Sequence, residues 1–203
     1  MIKKNFETQR QKTLFLFLTK YSTELVHSKQ VCDISLTIFD KTKGLLHDFG
    51  EQERELLEAG ALLHDIGYHI SAEKHHKNSY KIIKTIGLEG YDESETDIIA
   101  NIARYHRNKL PSDKHENFNN LTPQTKLLVE RLGGIVRLAD GLDRSHSSTI
   151  LDVDCEFDKE TATLKLILKA KTQDCYPEIY AGEKKRDLLE KAFDIAVLFT
   201  ISK

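Results

Sequence analysis

Cysteine is scarce in this chain. The three present, Cys32, Cys155 and Cys175, are odd in number and far apart, so they form neither a disulfide framework nor a metal-binding spacing, and they suit a reducing compartment. A long apolar run is also missing. The LFLFL that follows the charged start MIKKNFETQR is too short for a signal-peptide core or a membrane span. Nor is there an excess of one charge. Lys and Arg number 30 against 32 for Asp and Glu, a net charge of -2, which gives no global field to attract duplex nucleic acid or an anionic membrane. Any anion site must be local, and the expected setting is the cytoplasm, with no membrane and no nucleic acid duplex as partner.

What is present suffices for a core. With 39% hydrophobic and 31% charged residues in 203, the chain can fold as one globular domain or one domain with an appendage. From about residue 7 to about residue 145 apolar positions recur at three and four, so this zone reads as helix, broken by one long polar stretch, RNKLPSDKHENFNN. Beyond it the period changes to two. ILDVDCEF sets Leu151, Val153, Cys155 and Phe157 on one side, and TLKLILK does the same with Leu164, Leu166 and Leu168. Asp158 to Glu160 then reads as a hairpin turn, and EKKRDLLEKAFDIAVLF returns to helical spacing with an apolar end suited to a third strand. The expected fold is mainly α: a helical bundle over residues 1–148 and a small α+β subdomain, an antiparallel hairpin plus a helix, over 149–203.

Within the helical zone the stretch LLHDIGYH poses a question of charge. An amphipathic helix, EQERELLEAGA, delivers His64 and Asp65 at its last turn and is expected to stop at Gly67. Ser22 or Thr23 can cap an earlier helix whose inward face holds Val31, Ile34 and Ile38, and His27 lies one turn before Val31 on that face. Thr122 and Pro123 open a later helix that brings Asp140 to its inner end. Gly133 and Gly134 inside that helix cost roughly 1 kcal/mol each against alanine, which implies close approach of another backbone. His27, His64, Asp65 and Asp140 can therefore converge on a divalent cation; mixed nitrogen and oxygen ligation suits manganese, iron, zinc or nickel, and magnesium when waters complete the shell. The alternative is a hydrogen-bonded His and Asp pair closing a helix end.

The spacing of His27, His64 with Asp65, and Asp140 resembles the metal signature of the HD superfamily of phosphohydrolases. More closely, LLHDIGYHI, HHKNSYKII, IARYHRNKLP and RLADGLDRSH resemble the HD-type domain that follows the catalytic domain in exopolyphosphatases and guanosine pentaphosphate phosphohydrolases. The resemblance runs from about residue 13 to about residue 200, and implies a helical bundle around one or two metals. In that family phosphohydrolysis belongs to an amino-terminal domain of the actin and sugar-kinase fold, for which this chain has no room, so the likeness is to the accessory part standing alone. Where the family often shows a second histidine, this chain has Asn78; a second metal then needs His76 or His75, together with His106 and a bridging Asp65.

Around these motifs lie cations suited to phosphate. Lys77, Arg104, Arg107 and Arg144 are the candidate substrate-binding residues, because arginine's planar fork pairs with phosphate oxygens. Asp143 reads as a partner of Arg144 or of a backbone turn. Two functions stay open. In one, a metal-dependent phosphohydrolase acts on a nucleotide, guanosine polyphosphate or polyphosphate, with Asp65 holding the metal and His106 orienting the phosphate or protonating the leaving oxygen. In the other, the chain is a non-catalytic phosphate-binding or dimerisation module, a homodimer among its forms, beside a separate exopolyphosphatase-like enzyme.

Overall fold

The computed structural model describes residues 7–172 and 174–202. Seven helices precede the first strand: α1 Gln9–Tyr21, α2 Leu25–Thr42, α3 Glu51–Leu63, α4 His75–Ile86, α5 Glu93–Tyr105, the short α6 Glu116–Asn119, and α7 Pro123–Leu142. Then come β1 Ile150–Asp158, β2 Thr163–Ala170, α8 Tyr176–Lys185, α9 Asp187–Phe193 and β3 Ala196–Ile201. The protein is mainly α with a small sheet near its C-terminus, as the change of period implies.

α7 forms the axis of the bundle. It packs against α2, α3, α5, α8 and α9, and every residue from Leu132 to Leu142 is buried. Its start is the one read in the sequence: the Thr122 side chain accepts from the Thr125 amide, and Pro123 fills the first turn, where its missing N–H costs nothing. Gly134 admits the backbone of α9; a Cβ there would lie 2.9 Å from the Leu189 Cα and amide nitrogen, whereas one at Gly133 would make only ordinary contacts.

Two local expectations are corrected. Neither Ser22 nor Thr23 caps α2: Ser22 ends α1, its amide donating to Leu18 O, and α2 starts after Glu24 without a side-chain cap. Nor does Gly67 stop a helix. α3 ends at Leu63, and Gly67 lies in a 3-10 turn, Ile66–His69, pressed against the start of α4.

The sheet has the order β1-β2-β3, with β1 and β2 antiparallel and β3 parallel to β2. A parallel neighbour needs a crossover, and α8 with α9 supplies it. Leu164, Leu166, Leu168, Val153 and Val197 are fully buried. Leu151 departs from its expected face: the β1 register shifts between Ile150 and Asp152, so Ile150 turns inward at 1% exposure and Leu151 is 56% exposed.

Arg137, on α7, joins the bundle to α9. Its Nε and Nη2 donate to the Asp187 carboxylate at 2.7 and 3.0 Å, and its guanidinium also donates to Tyr105 O and Asn108 O. It is therefore a structural residue. Arg137→Met should leave two carbonyls and Asp187 without their donor, and lower unfolding free energy by about 1–3 kcal/mol; urea denaturation measures this.

Candidate metal centre

Four histidines and three aspartates meet where α2, the end of α3, the start of α4, the end of α5 and the end of α7 come together. α2 brings His27, buried to 1% exposure, and α3 is followed by His64 and Asp65, at 0% and 6%. The turn carrying that pair is held by Ser79 of α4, whose hydroxyl donates to His64 O at 2.6 Å and accepts from the Gly67 amide at 2.9 Å.

Three of the imidazoles have a fixed tautomer. The Nδ1–H of His64 donates to Ala61 O at 2.7 Å, that of His75 to Ala72 O at 2.8 Å, and that of His106 to Ala103 O at 2.7 Å. In each case the acceptor is the carbonyl three residues back, and each Nε2 faces inward. His27 uses Nδ1 against Asp143 Oδ2 at 2.8 Å, so Asp143 orients a histidine, and its other oxygen accepts from the Ser148 amide at 2.9 Å. The expected backbone-turn role of Asp143 is thus joined by a second one.

The inward atoms form two groups that share one carboxylate. His27 Nε2 lies 3.4 Å from His64 Nε2, 3.3 Å from Asp140 Oδ1 and 3.8 Å from Asp65 Oδ2, and His64 Nε2 lies 3.5 Å from the same Asp65 oxygen. On the other side, Asp65 Oδ1 lies 3.2 Å from His75 Nε2 and 3.4 Å from His106 Nε2, and these two nitrogens are 3.2 Å apart. Nitrogens and oxygens each about 2.1 Å from one ion sit roughly 3.0 to 3.5 Å from one another, so His27, His64 and Asp65 on one side, and Asp65, His75 and His106 on the other, have the spacing of ligands, whereas Asp140 comes close to His27 but not to that whole group. Asp65 Oδ1 is buried and has no hydrogen-bond partner. A bare carboxylate oxygen among lone pairs is costly unless a cation joins it. The chemistry of the donor set therefore fits divalent cations, with Asp65 common to both groups of histidines.

Electrostatics support the same view. Burial works to lower the His27 pKa, but hydrogen bonds to Asp140 and Asp143 and the nearby charge of Asp65 outweigh it, and the group is pushed up to about 9. Burial dominates at His75 and His106, whose pKa values fall, so both imidazoles are neutral at pH 7, the form that can ligate a cation. Burial would raise the Asp140 carboxyl, yet Lys185 and His27 hold it well below the usual carboxylate range. Metal bound at His27 must displace a proton there, so affinity should increase with pH up to about 9 and weaken below it; isothermal titration with manganese across that range checks the sign.

The structure divides the candidate cations between two openings. Arg107 and Arg144 line a pocket of about 250 Å³ over the centre, with Lys185, whose ammonium pairs with Asp140. Lys77 and Arg104 lie instead in a separate cavity beside it. His76 also opens into that cavity, and its neighbour His75 takes the position facing Asp65; successive residues of a helix point about 100° apart, so only one of the pair can face the centre. Sequence reasoning missed Lys185, Ser79, Tyr68, which stacks on His75 with ring centroids 3.9 Å apart, and His146, which stacks on His27 at 3.8 Å. Tyr68, Ser79 and His146 lie within the quoted LLHDIGYHI, HHKNSYKII and RLADGLDRSH, but their roles, like the arrival of Lys185, are set by tertiary packing.

A family model described as "Ppx/GppA phosphatase, domain III" matches residues 9–180. The chain belongs to that family. Among curated relatives, it is 24% identical over 147 residues to a guanosine-5′-triphosphate,3′-diphosphate pyrophosphatase of Pseudoalteromonas atlantica, covering 72% of this chain and 29% of the relative. Proteins of the same name from Pseudoalteromonas translucida and Vibrio parahaemolyticus are 25% and 27% identical, over 64% and 51% of this chain and 25% and 21% of theirs. The chain thus spans about a quarter of the length of the relatives it matches. Among the described residues, no helix is long and apolar enough to cross a membrane.

Proposed function

We propose that this domain is an HD-type, metal-dependent phosphohydrolase acting on a phosphorylated small molecule, a class that contains nucleotides, guanosine polyphosphates and polyphosphate. The observation that carries the reading is Asp65, whose two oxygens face two separate histidine groups while one of them has no other partner. In this reading His27, His64 and Asp65 would hold one ion, with Asp140, beside His27, moving in to join them, and His75, His106 and Asp65 would hold another. His106 is then a ligand and not the proton donor, because its one free nitrogen faces Asp65 and the ring is buried. Manganese, iron, zinc and nickel suit such a shell, and magnesium when water completes it.

When bound, the ions would polarise a phosphoryl oxygen and lower the pKa of a water. The chain's own groups do the rest. Arg107 and Arg144 bind and orient phosphoryl oxygens at the mouth of the pocket, and Arg107 lies against the His75 ring, its Nη1 3.2 Å from Nε2. Lys185 Nζ holds its protons beside Asp140 and adds a third positive group facing the substrate. Tyr68 fixes His75 by stacking, and Asp143 fixes His27. Arg107→Ala should raise KM by about tenfold or more while changing kcat little, since phosphate binding is lost and not water activation. Asp143→Asn should weaken metal affinity by about 10- to 100-fold with the ligands all in place, read by metal titration against a chelating dye.

The test is phosphate release from a phosphodiester and a nucleotide panel with manganese, repeated after chelation. Turnover that disappears on chelation supports the reading. Saturable binding of phosphorylated ligands with no turnover across metals and substrates would instead favour a non-catalytic module that binds phosphate beside a separate phosphatase. The match to domain III alone, over about a quarter of each relative, is what favours that second reading.

A further inference from the structure

A cavity of about 510 Å³ lies beside the metal pocket, and Asn108 lines both. Its walls carry Lys74, Lys77, Arg104 and Lys109 against a single carboxylate, Glu73. Among the described residues, none of the four cations makes an ion pair. Like charges gathered without counter-charge repel one another, and their placement makes this worse. Lys74 and Lys77 stand at the N-terminus of α4, which has no acidic residue in its first turn and no side-chain cap. A helix N-terminus carries partial positive charge and unpaired amides, so cations there are disfavoured unless an anion joins them.

Two buried polar groups point the same way. His76 is 7% exposed, and its contact is a 3.4 Å approach of Asn108 Nδ2 to both ring nitrogens alike, which satisfies neither well. Arg104 rests against the rings of Tyr80 and Tyr105, and its Nε is buried with no hydrogen-bond partner. A cavity with unpaired cations, an uncapped helix start, a weakly held buried imidazole and one buried guanidinium N–H without a partner is suited to an anion that would complete it.

We propose that this cavity is a second anion subsite that binds a condensed phosphate group remote from the one reacting at the metal centre. The inference rests on the proposed hydrolase reading for what happens next door, but the subsite itself is a binding site and stands on its own geometry. A ligand spanning both pockets carries phosphates at two places: a linear polyphosphate chain, or a nucleoside with diphosphates on both its 3′ and 5′ hydroxyls.

The test is calorimetric binding to the chelator-treated full chain, with inorganic tripolyphosphate in one arm and guanosine 3′,5′-bisdiphosphate in the other. The variant is Lys77→Glu with Lys109→Glu, both exposed side chains, and the charge-matched control is Lys159→Glu with Lys169→Glu on the hairpin. The subsite variant should lose about tenfold or more in affinity for at least one ligand, and the arm that responds identifies the source of the phosphate. The control should stay within about twofold of the parent, the change expected of distant surface charge. No saturable binding in either arm, equal affinities for parent and subsite variant, or an equal loss in the control would each overturn the subsite. A chain that binds in this Lys77- and Lys109-dependent way but turns over no phosphate ester keeps the subsite and loses the hydrolase reading.

Discussion

Asp65→Asn is expected to abolish metal-dependent phosphate release, by about a thousandfold or more, equivalent to roughly 4 kcal/mol of barrier, while the fold survives. The expectation rests on the position of this side chain between two histidine pairs: removing its charge would take one ligand from each proposed ion and leave an amide where a carboxylate faced the imidazole nitrogens. Stability should change little, because in the metal-free chain Asp65 Oδ1 has no donor to lose, and His27 keeps its contacts with Asp140 and Asp143. Metal analysis of the purified variant should show less than the parent, with a melting temperature close to the parent's. An Asp65→Asn protein that retains its full metal content and its turnover would remove the bridging role, and with it the proposed centre. Loss of activity together with a large fall in melting temperature would mean that the residue holds the bundle, not the chemistry.

The sequence revealed part of this centre and concealed the rest for a physical reason. Helical period and the cap at Thr122 were local signals, so the bundle and the course of α7 could be read directly. His27 was visible because a histidine on an apolar face is anomalous, and the HD pair because charge at a buried helix end needs a partner. The choice between His75 and His76 was not legible: it depends on how α4 is rotated about its axis, and that is set by Gly67 and Ser79 packing against its first turn. The split of Arg104 from Arg107 has the same origin. Three residues apart on or just beyond α5, they leave the helix end in directions that open into different cavities. Lys185 lies 45 residues from Asp140 in sequence, across the sheet, and nothing local announces that α8 returns to the end of α7. Leu151 was misplaced because a period-two pattern assumes an unbroken register, which the bulge after Ile150 shifts.

The rotation of α4 leads to the largest expected effect on stability, at Gly67. A Cβ at this position would lie 2.0 Å from His75 O, 2.4 Å from the Ser79 amide nitrogen and 2.9 Å from Asn78 Cβ. Two of these three are backbone atoms of a helix and cannot turn aside as a flexible side chain would, so Gly67→Ala requires α4 to move bodily. The backbone conformation at Gly67 is not itself the obstacle, since its φ lies outside the left-handed range. The cost should be about 3 kcal/mol or more, a large share of the 5–15 kcal/mol typical of a domain. Gly87 is the comparison without a clash: a Cβ there meets nothing within 4 Å, and only its backbone, φ 76° and ψ 165°, a region that glycine alone readily adopts, strains an alanine, so Gly87→Ala should cost about 1–3 kcal/mol. Urea denaturation of the two variants orders them. Gly67→Ala should also carry a functional mark that Gly87→Ala lacks. Displacing the first turn of α4 pulls His75 away from His106 and Asp65, so metal stoichiometry should fall while His27, His64 and Asp140 stay in place. Native-like stability and full metal content in Gly67→Ala would show that α4 is free to shift, and that the close approach at Gly67 does not set the position of His75.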